Sequence, residues 1–205
     1  EEKHSAKKLN AQRELDRNEF ECLNQGNPGS AEGTLYGNFK TYTDKNDFGV
    51  LIGRGNYTDC ADTGSDYLCS ICYDKYQSKE AVWNEKERRY KHLIFCLVTD
   101  IVYTTAPIEE TQVSVPNMLN INSTDYAYIE SNNGGRSFAV NISPRTKAEI
   151  NWFCQRLNKE ARILSNAANV TQSIVMPYGW ESRFPKFHEH ITNYLREFSA
   201  NKHDD

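Results

Sequence analysis

Six cysteines, Cys22, Cys60, Cys69, Cys72, Cys96 and Cys154, offer the widest chemistry in this 205-residue chain: thiol exchange, metal ligation or cross-linking. Cys69-Ser70-Ile71-Cys72 has the spacing of a redox pair, in which one thiolate attacks and the other resolves the mixed disulfide. Its neighbours Tyr67, Leu68 and Tyr73 predict a strand, however, and in a strand residues i and i+3 point to opposite faces. The two sulfurs are therefore expected to meet different partners. A zinc site needs a second Cys or His pair at ligand spacing, and Cys60, Cys96 and His92 do not form one. The even count fits disulfides throughout, with the connectivity open.

His188-Glu189-His190 looks metallic, but on a helix residues two apart diverge by about 200°, so the two imidazoles share an ion only if the segment is extended. His92 and Asp100 are the best acid–base pair by residue type. Strand rise separates them by about 26 Å, too far for a dyad. Neither a Gly-x-Ser-x-Gly elbow nor a His-Glu-x-x-His pair occurs, and Gly53-Arg54-Gly55-Asn56 reads as a turn rather than a phosphate loop. No catalytic residue, metal site or cofactor is expected from sequence, and the chain reads as more a binding protein than an enzyme. His92, Asp100, His188 and Glu189 are the residues to inspect for convergence in three dimensions.

The softer binding features are cationic and aromatic. Arg88, Arg89 and Lys91 enter the longest apolar strand, and Arg156, Lys159 and Arg162 lie along a later helix; together they are the candidate site for a sulfated glycan or phosphate. The competing reading of the first cluster is a solvated hairpin, since Glu85 and Glu87 offset it. Trp180, with Tyr178 in the loop Met176-Pro177-Tyr178-Gly179-Trp180, is the candidate for exposed recognition.

The elements that must position these residues form one domain. Residues 1–23 predict an amphipathic helical arm, 24–200 a single domain and 201–205 a polar tail. Strands are predicted at 34–42, 48–53, 67–73 and 90–105, then shorter ones at 111–115, 125–130 and 136–142, the last two joined by Ser131-Asn132-Asn133-Gly134-Gly135 as a hairpin. Ser143 and Pro144 are read as starting a helix through Ile150, Phe153, Leu157, Ala161 and Leu164, and a last helix follows Pro185 with Phe187, Ile191, Leu195 and Phe198 on one stripe. Strands first and helices last, without βαβ alternation, predict an α+β fold: a largely antiparallel sheet with an N-terminal and two C-terminal helices, stapled by disulfides.

Mean hydropathy is -0.75 and no apolar run is long enough to span a membrane as a helix. Net charge is -4, which works against general nucleic-acid binding. Four sequons, at Asn56, Asn122, Asn141 and Asn169, join the even cysteine count and a start at Glu1, as after signal-peptide removal or trimming. The expectation is thus a secreted, disulfide-bonded glycoprotein that binds an extracellular protein or glycan. Two alternatives stand beside it: a lipocalin-like carrier of a small apolar ligand or lipid, and a secreted hydrolase whose site is invisible in sequence.

Overall fold

The computed structural model describes residues 33–61, 66–85, 87–156, 158–197 and 201. The predicted N-terminal helix and Cys22 lie outside the described residues, as does most of the tail. In chain order the elements are β1 (Lys40–Tyr42), β2 (Val50–Asp59), β3 (Leu68–Asn84), β4 (Arg89–Thr104), α1 (Ile108–Ile121), β5 (Tyr126–Glu130), α2 (Gly135–Ile142), β6 (Glu149–Phe153), α3 (Lys159–Ser173), β7 (Ile174–Pro177), α4 (Trp180–Arg183) and α5 (Pro185–Thr192). Seven strands form one sheet in the order β1-β7-β4-β3-β2-β5-β6. The meander β2-β3-β4 is antiparallel, while β2-β5, β5-β6, β4-β7 and β1-β7 are parallel.

This corrects the expected α+β fold with a largely antiparallel sheet. Two crossover helices were concealed by β-branched residues. The segment 111–115, read as a strand, lies in α1, where Thr111, Val115, Met118 and Leu119 are buried at helical spacing and Val113 is exposed. A helix penalty of a few tenths of a kcal/mol for Val or Thr is small beside about 2 kcal/mol for burying one such side chain. Pro116 leaves the carbonyl of Gln112 without its helical N–H donor, and Arg145 Nη1 donates to that oxygen at 2.9 Å. Likewise 136–142 is α2, packed through Phe138, Ala139 and Ile142, each fully buried. The Asn-Gly joint does take positive φ, at Gly134, but it turns the chain into α2 through a short 3-10 segment instead of into a hairpin. Ser143 and Pro144 then end a helix, and Ile150 and Phe153 belong to β6.

The two sheet faces carry separate cores. On one, α1 and α2 cover Leu68, Cys72, Ala127 and Ile129. On the other, the C-terminal elements cover Val98, Ile101 and Met176 with Val170, Trp180, Phe187 and Ile191. Trp180, expected to be exposed, is only 5% exposed and meets Phe39 edge-on at 5.9 Å; its neighbour Tyr178 is open to solvent. The β3–β4 hairpin outruns the sheet, since β2 pairs with β3 only as far as Gln77. Arg88, Arg89 and Lys91 sit on that projecting arm, where Glu87 takes both Arg89 (Nε at 2.7 Å) and Lys91 (2.8 Å), the solvated-hairpin alternative.

The disulfide framework is also corrected. Cys60, Cys69, Cys72, Cys96 and Cys154 are free thiols. Strand alternation separates Cys69 from Cys72 as expected: Cys69 packs with the C-terminal core and Cys72 with the crossover core. The sequon at Asn56 is fully buried, so it offers no site for a glycan. Its Nδ2 donates to Ser70 Oγ at 3.0 Å and its Oδ1 accepts from Thr58 Oγ1 at 2.8 Å, within an inward-facing polar ladder that Cys72 and Thr124 extend. Among the other sequons, Asn122 caps α1 and Asn141 and Asn169 lie exposed on α2 and α3.

Two outcomes follow. Unfolding without reductant exposes all five of these thiols to iodoacetamide, whereas in the folded protein at pH 8 exposed Cys154 is labelled first. Cys60 and Cys72 lag, because burial pushes their thiols up to about 12 and about 11, read by mass spectrometry of timed samples. Asn56→Ala removes two buried hydrogen bonds and leaves the Thr58 and Ser70 hydroxyls only each other as partners, at 2.7 Å, and is expected to lower stability by about 1–3 kcal/mol in urea titration.

Candidate active site

Asp59 ends β2 and Glu130 ends β5, two parallel neighbours. Thr58 and Ile129 are register partners, so each acid lies one position beyond that pair and alternation turns both to the same face. That face is the one opposite α1 and α2. Both carboxylates bear on the same two groups: their charges, with burial the larger cause, raise the Cys60 thiol, and both act on the Tyr57 phenol.

Glu130 is 7% exposed and held at both oxygens. Tyr57 Oη donates to Oε2 at 3.0 Å, and Asn132 Nδ2 donates to Oε1 at 2.9 Å. Burial, then the Glu130 charge and hydrogen bond, then Asp59 hold the Tyr57 phenol well above its ordinary range, so it stays a donor. Arg162, half-buried on α3, opposes that shift with its positive charge, and its Nε is buried with no hydrogen-bond partner.

Local sequence accounts for this geometry. Asn132 also donates to Gln155 O at 3.2 Å and accepts from Cys154 Sγ at 3.1 Å, while Ser131 N donates to Phe153 O at 2.8 Å, which ties the ends of β5 and β6 together. A side chain at Gly135 would put its Cβ 1.9 Å from Glu130 O, so only glycine lets α2 start this close behind the acid. Asn158 N-caps α3 by accepting from Ala161 N at 3.0 Å, which fixes the helix that carries Arg162.

The row of paired residues through Asp59 continues across Cys69 to Tyr103 on β4. Tyr103 Oη lies 2.7 Å from His190 Nδ1 and its ring stacks on Tyr67 at 4.4 Å, which walls the same end of the sheet two strand spacings, about 10 Å, from Asp59.

The residues singled out for convergence scatter. His92 Nδ1 lies 2.8 Å from Ser78 O on the hairpin, Asp100 pairs with Arg183 at 3.3 Å, His188 packs on Trp180 at 4.6 Å and Glu189 is exposed on α5. Of the cationic candidates, Arg162 bears electrostatically on Tyr57, the phenol that holds Glu130; Arg156 is exposed beyond the end of β6 and Lys159 opens α3. Asp59 and Glu130 escaped notice in the sequence. Each is a single acid closing a strand, and only the parallel pairing of two distant strands makes them a pair.

Among the described residues no three His, Cys, Asp or Glu side chains converge on one point. Two carboxylates nevertheless suit a hard divalent cation such as Mg2+, which is commonly held by one or two carboxylates, with waters and substrate phosphate oxygens completing its shell.

No family model and no curated protein matches the chain. Among solved structures, it is similar to a large terminase from a thermophilic bacteriophage, with TM-score 0.50 and 7% identity over 100% of this chain. It covers 48% of that protein, so it spans about half the length of this structural relative. A mutant nuclease domain of the large terminase subunit of bacterial virus Sf6, with manganese and beta-thujaplicinol, gives TM-score 0.45 and 11% identity over 75% of this chain and 76% of that one. The expected secreted, disulfide-bonded glycoprotein is overturned by the free thiols and by this fold likeness, and the sheet is open rather than the barrel a lipocalin-like carrier requires. The likeness is one of fold.

Proposed function

We propose that the chain carries a divalent-metal-dependent phosphodiester hydrolase site that acts on nucleic acid. The observation that carries the reading is the carboxylate pair Asp59 and Glu130, side by side at the C-terminal ends of adjacent parallel strands, with the positive charge of Arg162 bearing on Tyr57, which holds Glu130. Strand C-termini at such a junction are the habitual place for ligands in open α/β sheets. The fold likeness to a phage large terminase points in the same direction.

Asp59 and Glu130 would hold the cation, which would supply activation of water and compensation of the charge on the phosphate. Tyr57 and Asn132 fix the Glu130 carboxylate, so its oxygens stay in place as charge builds up on phosphorus. Arg162 adds a positive charge on the same side, next to Tyr57. A net charge of -4 argues against general nucleic-acid binding; Arg162, with a cation held by Asp59 and Glu130, would supply positive charge locally.

With Mg2+ or Mn2+ the protein is expected to cut labelled oligonucleotides, and EDTA abolishes this. Asp59→Asn and Glu130→Gln each lower the rate at least about 100-fold with unchanged circular dichroism; equal cleavage by either variant would sink the assignment. Tyr57→Phe removes one hydrogen bond to a charged group, worth about 1.5–3 kcal/mol, and is expected to cost roughly 10- to 100-fold in kcat while retaining metal dependence, measured in single-turnover assays.

A further inference from the structure

The half of the sheet that carries the acid pair is paved with tyrosine. Tyr57 and Tyr128 are register partners, and Gly55 is the partner of both Tyr73 and Tyr126, so all four rings rise from the same face as Asp59 and Glu130. The opposite face of these strands is an ordinary core, with Thr58, Ala127 and Ile129 fully buried under α1 and α2. Here, in contrast, Tyr128 is 45% and Tyr57 38% exposed in the interior of a sheet, where parallel strands usually carry Val, Ile and Leu. The C-terminal helices pack over β4, β7 and the Cys69–Ile71 end of β3, and α3 brings Arg162 beside Tyr57, while Tyr128 stays open to solvent.

The rings are held in place. A Cβ at Gly55 would lie 2.5 Å from Tyr73 Cζ and Oη, so the glycine makes room for Tyr73 to lie across β2, and Tyr73 is hydrogen-bonded to Tyr126. Tyr126 meets Tyr128 edge-on at 5.7 Å, and Tyr57 leans on Phe153 at 5.8 Å. Tyr57 links the surface to the chemistry, because its hydroxyl holds Glu130 while its ring faces out.

We propose that Tyr57, Tyr73, Tyr126 and Tyr128 form a stacking platform for unpaired bases, which makes single-stranded nucleic acid the substrate of the acid pair; this rests on the hydrolase reading above. Continuity decides the occupant. A strand whose bases lie on these rings runs directly into Asp59 and Glu130, which present its backbone to the site. A protein with net charge -4 gains little from counterion release, whereas base–aromatic stacking, about 1–3 kcal/mol per base, needs no net positive charge. A duplex keeps its base faces stacked on one another and has none to offer a flat sheet.

The test uses fluorescence anisotropy with a labelled 20-nucleotide oligothymidine and a duplex of equal length, in EDTA so that nothing is cut. The single strand is expected to bind at least about 10-fold more tightly, with a weak salt slope, and Tyr128→Ala to weaken it about 5- to 150-fold while leaving circular dichroism unchanged. Equal or tighter duplex binding overturns the proposal, as does a Tyr128→Ala protein that binds like the parent. A concentration-dependent dimer that Tyr128→Ala dissolves would assign the face to a second copy and overturn it as well. Cleavage assays in Mn2+ separate the two readings: duplex cutting that ignores Tyr128→Ala removes the platform and keeps the hydrolase, and tyrosine-dependent binding without cutting by any divalent cation removes the hydrolase and keeps the platform.

Discussion

The parallel pairing of β2 with β5 is the constraint on which the rest depends. Only four residue pairs define it, Gly55–Tyr126 through Thr58–Ile129, yet they decide which side chains face the crossover helices and which face the acid end. A slip of one residue would turn Ile129 and Ala127 outward and drive Glu130 and Tyr128 under α1 and α2, at the cost of a buried carboxylate. Burial of Ile129 on one face and display of Glu130 on the other are thus one event. The polar ladder of Asn56, Thr58 and Ser70 fixes the neighbouring β2–β3 register in the same way.

Two local devices let short sequences meet this constraint. At the end of β5 the chain turns into α2 through Gly134 and Gly135, one needed for its positive φ and the other for its lack of a side chain against Glu130 O. In α1 the break in hydrogen bonding at Pro116 is closed from outside by Arg145, so the helix keeps its buried stripe despite an internal proline. Arg145 therefore couples the turn before β6 to the helix that covers the sheet, a structural use of a cation.

Parts of the meander were legible in the sequence: β4 spans Arg89–Thr104 against an expected 90–105, while β2 runs on to Asp59 through Gly53–Asn56, read as a turn, and β3 runs to Asn84, past the expected end at 73. β5 falls where periodicity placed it, and the final helix starts at Pro185 but ends at Thr192, short of Leu195. The crossovers were not legible, because Thr111–Val115 and Arg136–Ile142 are short and β-branched or flanked by Asn-Gly, and helix there is imposed by the surface each segment covers. Missing those two helices hid the parallel pairing and with it the acid pair. Arg162 was singled out for its charge alone; what gives it a role is that α3 carries it to Tyr57. Cysteine parity and sequon count misled because both are properties of composition. Burial of Asn56 and separation of the five thiols are properties of the fold.

The edge of the sheet beside β4 is closed by β7, and beyond it by β1, so strands from opposite ends of the described chain lie side by side. The same meeting recurs outside the sheet, where Leu35 N donates to Tyr194 O at 2.7 Å and Arg196 N to Gly33 O at 2.8 Å. β1 has no partner in the sheet other than Ile174–Pro177, at the far end of the described chain, while the meander and its crossovers close on contacts much nearer in sequence. Joining the two ends therefore carries the largest loop entropy in the sheet, a cost that the acid end of β2 and β5 does not bear.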